Sequence, residues 1–157
     1  MILYFVRHGK AEDAGGGSDA SRRLTKGGEA KLRDAATLWQ RVNLRPDLVL
    51  TSPLVRAVQT ARILAESLKV SDEPIEDKRL APGASWSHMA QAMADNGSPR
   101  RVAFVGHQPD LGEAVELLTG ASTRLRPGGV ACVEFPGAPE PGAGELAWLL
   151  DPDLYAD

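Results

Sequence analysis

Met1-Ile2-Leu3-Tyr4-Phe5-Val6-Arg7-His8-Gly9-Lys10 is the stretch that decides the fold. Ile2 to Val6 is an unbroken apolar run, rich in β-branched and aromatic residues, the pattern of a short strand buried on both faces. It stops abruptly on an arginine, a histidine and a glycine. A parallel strand carries its reactive groups just past its carboxyl end, where the sheet opens into a crevice. Glycine lets the chain turn sharply there and approach a ligand closely. The His8 imidazole can act as nucleophile or as acid and base, while the Arg7 guanidinium is a planar fork suited to phosphate or carboxylate.

Three residues recur often by chance, so the first junction alone decides nothing about function. Two later segments repeat its design. Leu48-Val49-Leu50 runs into Thr51-Ser52-Pro53-Leu54-Val55-Arg56-Ala57-Val58-Gln59-Thr60-Ala61, and Val102-Ala103-Phe104 runs into Val105-Gly106-His107-Gln108-Pro109. Each places a cation or an imidazole at a strand-to-helix junction, the structural address already occupied by Arg7 and His8.

The segments between the junctions read as helices. Thr25 is a helix N-cap, followed by Leu32, Ala35, Ala36, Trp39 and Val42 at helical spacing. Ser52-Pro53 predicts a second cap, with proline at the first helical position. The apolar stripe that follows is Leu54, Ala57, Val58, Ala61, Leu64, Ala65 and Leu68, which leaves Arg56 in the first turn and off the stripe. A weak strand is expected over Pro74 to Asp77. Ser85 caps a helix bearing Trp86, Met89, Ala90 and Met93, with His88 beside that face as a surface histidine. A last helix starts near Asp110, carries Leu111, Val115 and Leu118, and stops at Gly120. Val130 to Phe135 and Leu146 to Leu150 read as closing strands around the Gly/Pro-rich loop Pro136 to Gly144, and Ala14 to Ser18 reads as an exposed loop. Strands alternating with helices predict an α/β fold on a mainly parallel sheet.

The chain has 157 residues, 43% of them hydrophobic and 25% charged, which predicts one globular domain over 1–157. A net charge of −3 provides no basic footprint for nucleic acid. The apolar runs are too short for a bilayer span, and Ile2 to Val6 lacks the basic flank of a signal segment. The single cysteine, Cys132, excludes an internal disulfide. The expectation is a cytoplasmic, monomeric protein without membrane or nucleic-acid contacts. Zinc on His8 and His107 is disfavoured, because their neighbours are cations and no carboxylate or thiolate joins them. No cofactor and no metal is expected.

Arg7-His8-Gly9, Leu24-Thr25-Lys26-Gly27-Gly28, Ser52 to Ala61 and Gly106-His107-Gln108-Pro109, in this order and over nearly the whole chain, resemble the histidine phosphatase superfamily, the phosphoglycerate-mutase-like proteins. The short length and Arg22-Arg23-Leu24-Thr25 are most similar to its small SixA-like phosphohistidine phosphatase branch. The resemblance implies a three-layer α/β/α sandwich on a mixed, mainly parallel six-stranded sheet, with the first and fourth strands adjacent at its centre. It implies that His8 is phosphorylated while Arg7, Arg56 and His107 bind the phosphate. Gln108, through the helix start after His107, and Arg22, in a loop where the family carries an arginine, are further candidates for substrate binding.

Mutases of the superfamily use a glutamate as general acid in the region of Arg79 to Ala84, and no carboxylate stands there. An alkoxide leaving from a phosphate ester needs a proton in the transition state. An imidazole leaving from phosphohistidine needs less help, since its ring can be protonated beforehand. The expected function is therefore phosphohistidine dephosphorylation on a partner phosphoprotein, a histidine-phosphorylated transfer domain of signal transduction or sugar uptake. One alternative is a phosphatase for small monoesters or other phosphoproteins, using Glu12 or Asp13 as acid. Another is a phosphate-binding regulatory module without turnover.

Overall fold

The computed structural model describes residues 1–154; the last three residues of the expected domain lie outside the described ones. The chain runs β1 (Ile2–Arg7), α1 (Lys26–Arg41), β2 (Leu48–Thr51), α2 (Val55–Leu68), β3 (Ile75–Glu76), α3 (Trp86–Asp95), β4 (Arg101–Gly106), α4 (Asp110–Thr119), β5 (Val130–Glu134) and β6 (Glu145–Leu150). One six-stranded sheet has the order β3-β2-β4-β1-β5-β6. The β3, β2, β4 and β1 neighbours pair in parallel, whereas β5 and β6 are antiparallel additions. The fold is thus the mixed α/β sheet that the motif order implied, with β1 and β4 adjacent near its centre.

Side chains alternate across a strand, so each central strand supplies both faces of the sheet. Leu3, Phe5, Leu50, Val102 and Phe104 join Met89, Ala92 and Met93 of α3 and Leu111, Ala114, Val115 and Leu118 of α4 in one core. Tyr4, Val6, Val49, Ala103 and Val105 join Leu32, Ala35 and Trp39 of α1 and Ala57, Ala61 and Leu64 of α2 in the other. Burying one such Leu, Val or Phe contributes about 1.5–3 kcal/mol. Two filled cores therefore clamp the sheet from both sides and hold its carboxyl-terminal edge rigid.

Local chemistry sets the helix starts. The Thr25 hydroxyl accepts from Gly28 N at 2.9 Å, and Ser85 accepts from the His88 amide while the His88 ring receives the Ser85 N–H. His88 is thus half of a capping box. One helix start departs from the sequence expectation: α2 begins at Val55, two residues after Pro53. Leu54 is extended, at φ −65° and ψ 138°, and takes the position just before the helix, while Ser52 N continues the sheet by donating to Val105 O at 2.9 Å. The expected Ser52 cap is not formed: its hydroxyl accepts from Leu54 N at 3.2 Å, within the turn that precedes the helix, and no side chain caps α2.

The start of α1 is wedged against the segment that follows His8. A Cβ on Gly28 would overlap the carbonyl oxygen of Lys10 and stand 3.2 Å from its amide nitrogen. In an unconstrained helix interior, alanine is better than glycine by about 1 kcal/mol. Gly28→Ala should show the opposite sign here, costing about 1–3 kcal/mol through overpacking against backbone. The expected fall in melting temperature is roughly 3–10 °C, readable by thermal unfolding; an unchanged or raised value would contradict the wedge.

Candidate active site

The parallel register of β1 and β4 sets Arg7 opposite Gly106, and His8 N donates to Gly106 O at 3.1 Å. The next residues of the two strands, His8 and His107, therefore emerge side by side, with ring centroids 5.2 Å apart. On the other flank of β4, Thr51 pairs with Val105. That pairing brings Ser52 to His107, whose Nε2 lies 2.8 Å from the Ser52 hydroxyl. Three strand ends thus open on one edge of the sheet.

Two contacts fix the proton on the His8 ring. Nδ1 lies 2.7 Å from the Gly9 carbonyl, which can only accept, so Nδ1 carries the hydrogen and donates. Nε2 then holds the lone pair, and Arg56 Nε donates to it at 3.3 Å. Burial is the largest influence on this imidazole, and Arg56, Arg7 and Arg22 add to it, so its pKa falls to about 4 despite the Gly9 bond. Burial, then His8 and Arg56, pull His107 down to about 3. Both rings are neutral at physiological pH. Desolvation does more than the neighbouring arginines to keep His8 neutral.

The cations are anchored by backbone oxygens. Arg56 is buried in the first turn of α2, with Nη1 donating to Asp19 O at 2.8 Å and Nη2 to Asp19 Oδ2 at 3.1 Å. Arg7 donates from Nη1 to Leu125 O at 2.8 Å, while its Nε is buried without a partner. A buried N–H lacking an acceptor is uncommon, and an anion lying between the arginines would supply one. The loop carrying Leu125 clasps the junction, since Gly128 N donates to both Arg7 O and His8 O, at 3.1 and 3.0 Å. Gly128 has φ +80°, a backbone state that suits glycine. Gly9 is needed for space: a Cβ there would come within 2.9 Å of the Leu32 side chain.

Of the residues expected at a site, Arg7, His8, Arg56 and His107 come together. Gln108 turns back onto its own helix, its Oε1 accepting from Gly112 N at 3.0 Å. Arg22 stands at the rim, with Nε donating to Glu12 O at 2.7 Å and Nη1 to Asp19 Oδ1 at 3.0 Å. Glu12 and Asp13 are exposed, and the carboxylate that meets the site arginines is Asp19. Sequence reasoning passed over Asp19, Ser52 as a partner for His107, and Thr60. The Thr60 hydroxyl accepts from Gly9 N at 3.0 Å and donates to Arg56 O at 2.8 Å, tying the segment after His8 to α2. Its position four residues after Arg56, on the same helix face, was a usable signal. Among the described residues, no three His, Cys, Asp or Glu side chains converge as a metal site. Nor is any helix among them long and apolar enough to cross a membrane.

The profile of the histidine phosphatase superfamily (branch 1) matches residues 3–118. An uncharacterized protein of Picosynechococcus sp. is 38% identical over 141 residues, spanning 83% of this chain and 82% of that protein. The structure of the protein histidine phosphatase SixA complexed with tungstate superposes with a TM-score of 0.83 at 27% identity, covering 99% of this chain and 100% of the other. A protein described as the phosphohistidine phosphatase SixA of Agrobacterium tumefaciens gives a TM-score of 0.80 at 23% identity, covering 95% and 96%, which is a likeness of fold. The matched span holds Arg7, His8, Arg56 and His107 within β1 to α4, and the chain belongs to the histidine phosphatase superfamily, branch 1.

Proposed function

We propose that this phosphatase removes phosphate from a histidine side chain on a partner protein, through a phosphoryl group held covalently on His8 Nε2. The observation that carries this reading is the neutral His8 ring, whose Nε2 lone pair faces Arg56 Nε while Nδ1 is tied to Gly9 O. Phosphoryl transfer needs an uncharged nucleophile and fixed positive donors around the transferring oxygens. Arg7 Nε, Arg56 and a ring N–H of His107 supply those donors. Ser52, holding His107 at Nε2, leaves Nδ1 as that ring's free position. The likeness to a SixA structure that holds tungstate, an oxyanion, supports a site for an anion of this kind.

In the first step a bond forms between His8 Nε2 and phosphorus while the phosphorus–nitrogen bond of the substrate breaks, its electron pair returning to the substrate ring. In the second step water attacks phosphorus, and His8 Nε2 recovers its lone pair as phosphate departs. Exchange of one imidazole for another is close to balanced. Asp19, the carboxylate at the mouth, is held below the usual carboxylate range by Arg22 and then Arg56. It therefore has no proton to give an alkoxide at neutral pH, which favours phosphohistidine over sugar or serine phosphates.

Covalency is open to direct measurement. A substrate pulse should leave acid-labile phosphate on the wild-type protein and none on His8→Ala, which should also lose turnover. Arg56→Ala should retain the fold and lose roughly 100- to 1000-fold in rate. Wild-type turnover by His8→Ala would rule the mechanism out. Substrate class is tested by comparing kcat/KM on a phosphohistidine protein with that on alkyl phosphates. An advantage of several orders of magnitude is expected for the protein; equal values would move the assignment to a monoester phosphatase.

The neutral rings also have a signature in stability. Unfolded histidine has a pKa near 6.5, above the values of about 4 and about 3 that His8 and His107 take in the fold. Between these limits the unfolded chain binds more protons, so stability rises with pH. This contribution is complete above about pH 6.5 and is lost as pH falls toward 4 and then 3. Thermal unfolding from pH 7 to pH 5 should therefore show a falling melting temperature. His107→Gln should flatten that slope; an equal slope in the variant would show that His107 binds protons alike in the folded and the unfolded chain.

A further inference from the structure

An acidic side chain stands at the rim of a site otherwise built for anions. Asp19 opens the short helical turn Asp19–Ser21, after the glycine-rich loop, and its side chain is 60% exposed. Oδ2 meets Arg56 Nη2 at 3.1 Å and Oδ1 meets Arg22 Nη1 at 3.0 Å. The Arg56 guanidinium that holds Asp19 through Nη2 also points Nε at His8 Nε2. One planar group therefore bridges the carboxylate and the nucleophile, and places the carboxylate beside any phosphoryl group on Nε2.

A carboxylate in that position repels an incoming phosphate, and anchoring Arg56 does not require it. The Asp19 backbone carbonyl already accepts from Arg56 Nη1 at 2.8 Å. Arg22 keeps a grip on Oδ1 if phosphate takes the Arg56 donors from Oδ2, so the charge stays at the rim instead of swinging into solvent. Its effect then depends on what leaves. An ester releases an oxygen that gathers negative charge. A phosphoimidazole protonated at its second nitrogen is cationic in that ring, and it leaves as neutral imidazole still bearing the second N–H.

We propose that Asp19 is a specificity-determining residue, its carboxylate accepting the N–H of an imidazole leaving group and repelling an oxyanion leaving group. This inference rests on the phosphohistidine reading of the same site. The substrate ring takes its proton from solvent before transfer. The phosphorus–nitrogen bond then breaks, its electron pair neutralises the ring, and the proton stays on the second nitrogen against Asp19. Arg22 is the positioning residue for the carboxylate.

The test is kcat/KM of wild type, Asp19→Asn, Asp19→Glu and Arg22→Ala on two small probes, phosphoimidazole and para-nitrophenyl phosphate. In Asp19→Asn the phosphoimidazole value should fall and the aryl phosphate value rise, shifting their ratio by roughly tenfold or more, as expected for loss of a charge-assisted hydrogen bond. Asp19→Glu should restore part of the ratio, and Arg22→Ala should move it in the same direction as Asp19→Asn by a smaller factor. Equal changes on both probes, or an unmoved ratio, would overturn the proposal and leave Asp19 as a prop for Arg56. Because the result is a ratio within one variant, partial misfolding cancels. The phosphoprotein assay remains separate. A partner protein left phosphorylated, alongside a shifted probe ratio, would sink the protein-substrate reading alone; a turned-over partner with an unmoved ratio would sink the Asp19 role alone.

Discussion

Parallel pairing of β1 with β4 is the constraint from which the site follows. With Arg7 opposite Gly106, the two strands end at the same level and the next residue of each is a histidine. A slip of one residue along β1 would send Tyr4 and Val6 to the wrong core and turn the Arg7–His8 pair away from His107, because the side-chain period of a strand is two. That slip is blocked on both faces at once. Phe5 stacks on Phe104 at 5.6 Å in one core, while Val6 and Val105 are fully buried in the other. The energy that holds the two imidazoles in place is therefore mostly apolar burial beneath them.

Holding two guanidiniums against an imidazole that the proposed function needs uncharged is the second problem the fold solves. Two nearby guanidiniums would suppress protonation of His8 in any setting, but in water the effect would be weak. Here burial comes first and the arginines reinforce it, so the same desolvation that removes the proton also strengthens the field felt by a bound phosphoryl group. Desolvation lowers the Arg7 pKa as well, yet guanidinium starts so high that its charge survives. Arginine and histidine thus share one partly buried environment, the first charged and the second neutral.

What could be read from the sequence was what short-range physics decides. The strand Ile2 to Val6, the caps at Thr25 and Ser85, the Gly120 stop and the three junctions rest on patterns a few residues long. The start of α2 was misplaced because Ser52 answers to two neighbours: its amide to the sheet and its hydroxyl to His107. Those partners lie more than fifty residues away, and no local rule sees them. Asp19 was hidden for a related reason. It sits in a polar, glycine-rich stretch where an acidic residue reads as ordinary solvated loop, and only the closure of that loop over Arg56 gives it meaning.

The connection between β3 and α3 bears on how a substrate reaches the site. It is short, and it is fixed at Leu80 and Ala84, which are buried in the core shared with α3 and α4. Gly83 N between them donates to Asp110 Oδ2 at 2.8 Å, so even its exposed tip is tied to the start of α4. A segment held at three successive points by core and hydrogen bond is poorly suited to close over His8 as a lid. Without a lid, water is not expelled from the mouth, and outer donors such as Arg22 act in a higher dielectric than a sealed site would offer. A poor leaving group would suffer most from that loss. A protonated imidazole would suffer little, and in the proposed function it would arrive on a folded partner whose bulk needs an open mouth, so the tethered connection and the proposed substrate fit the same site.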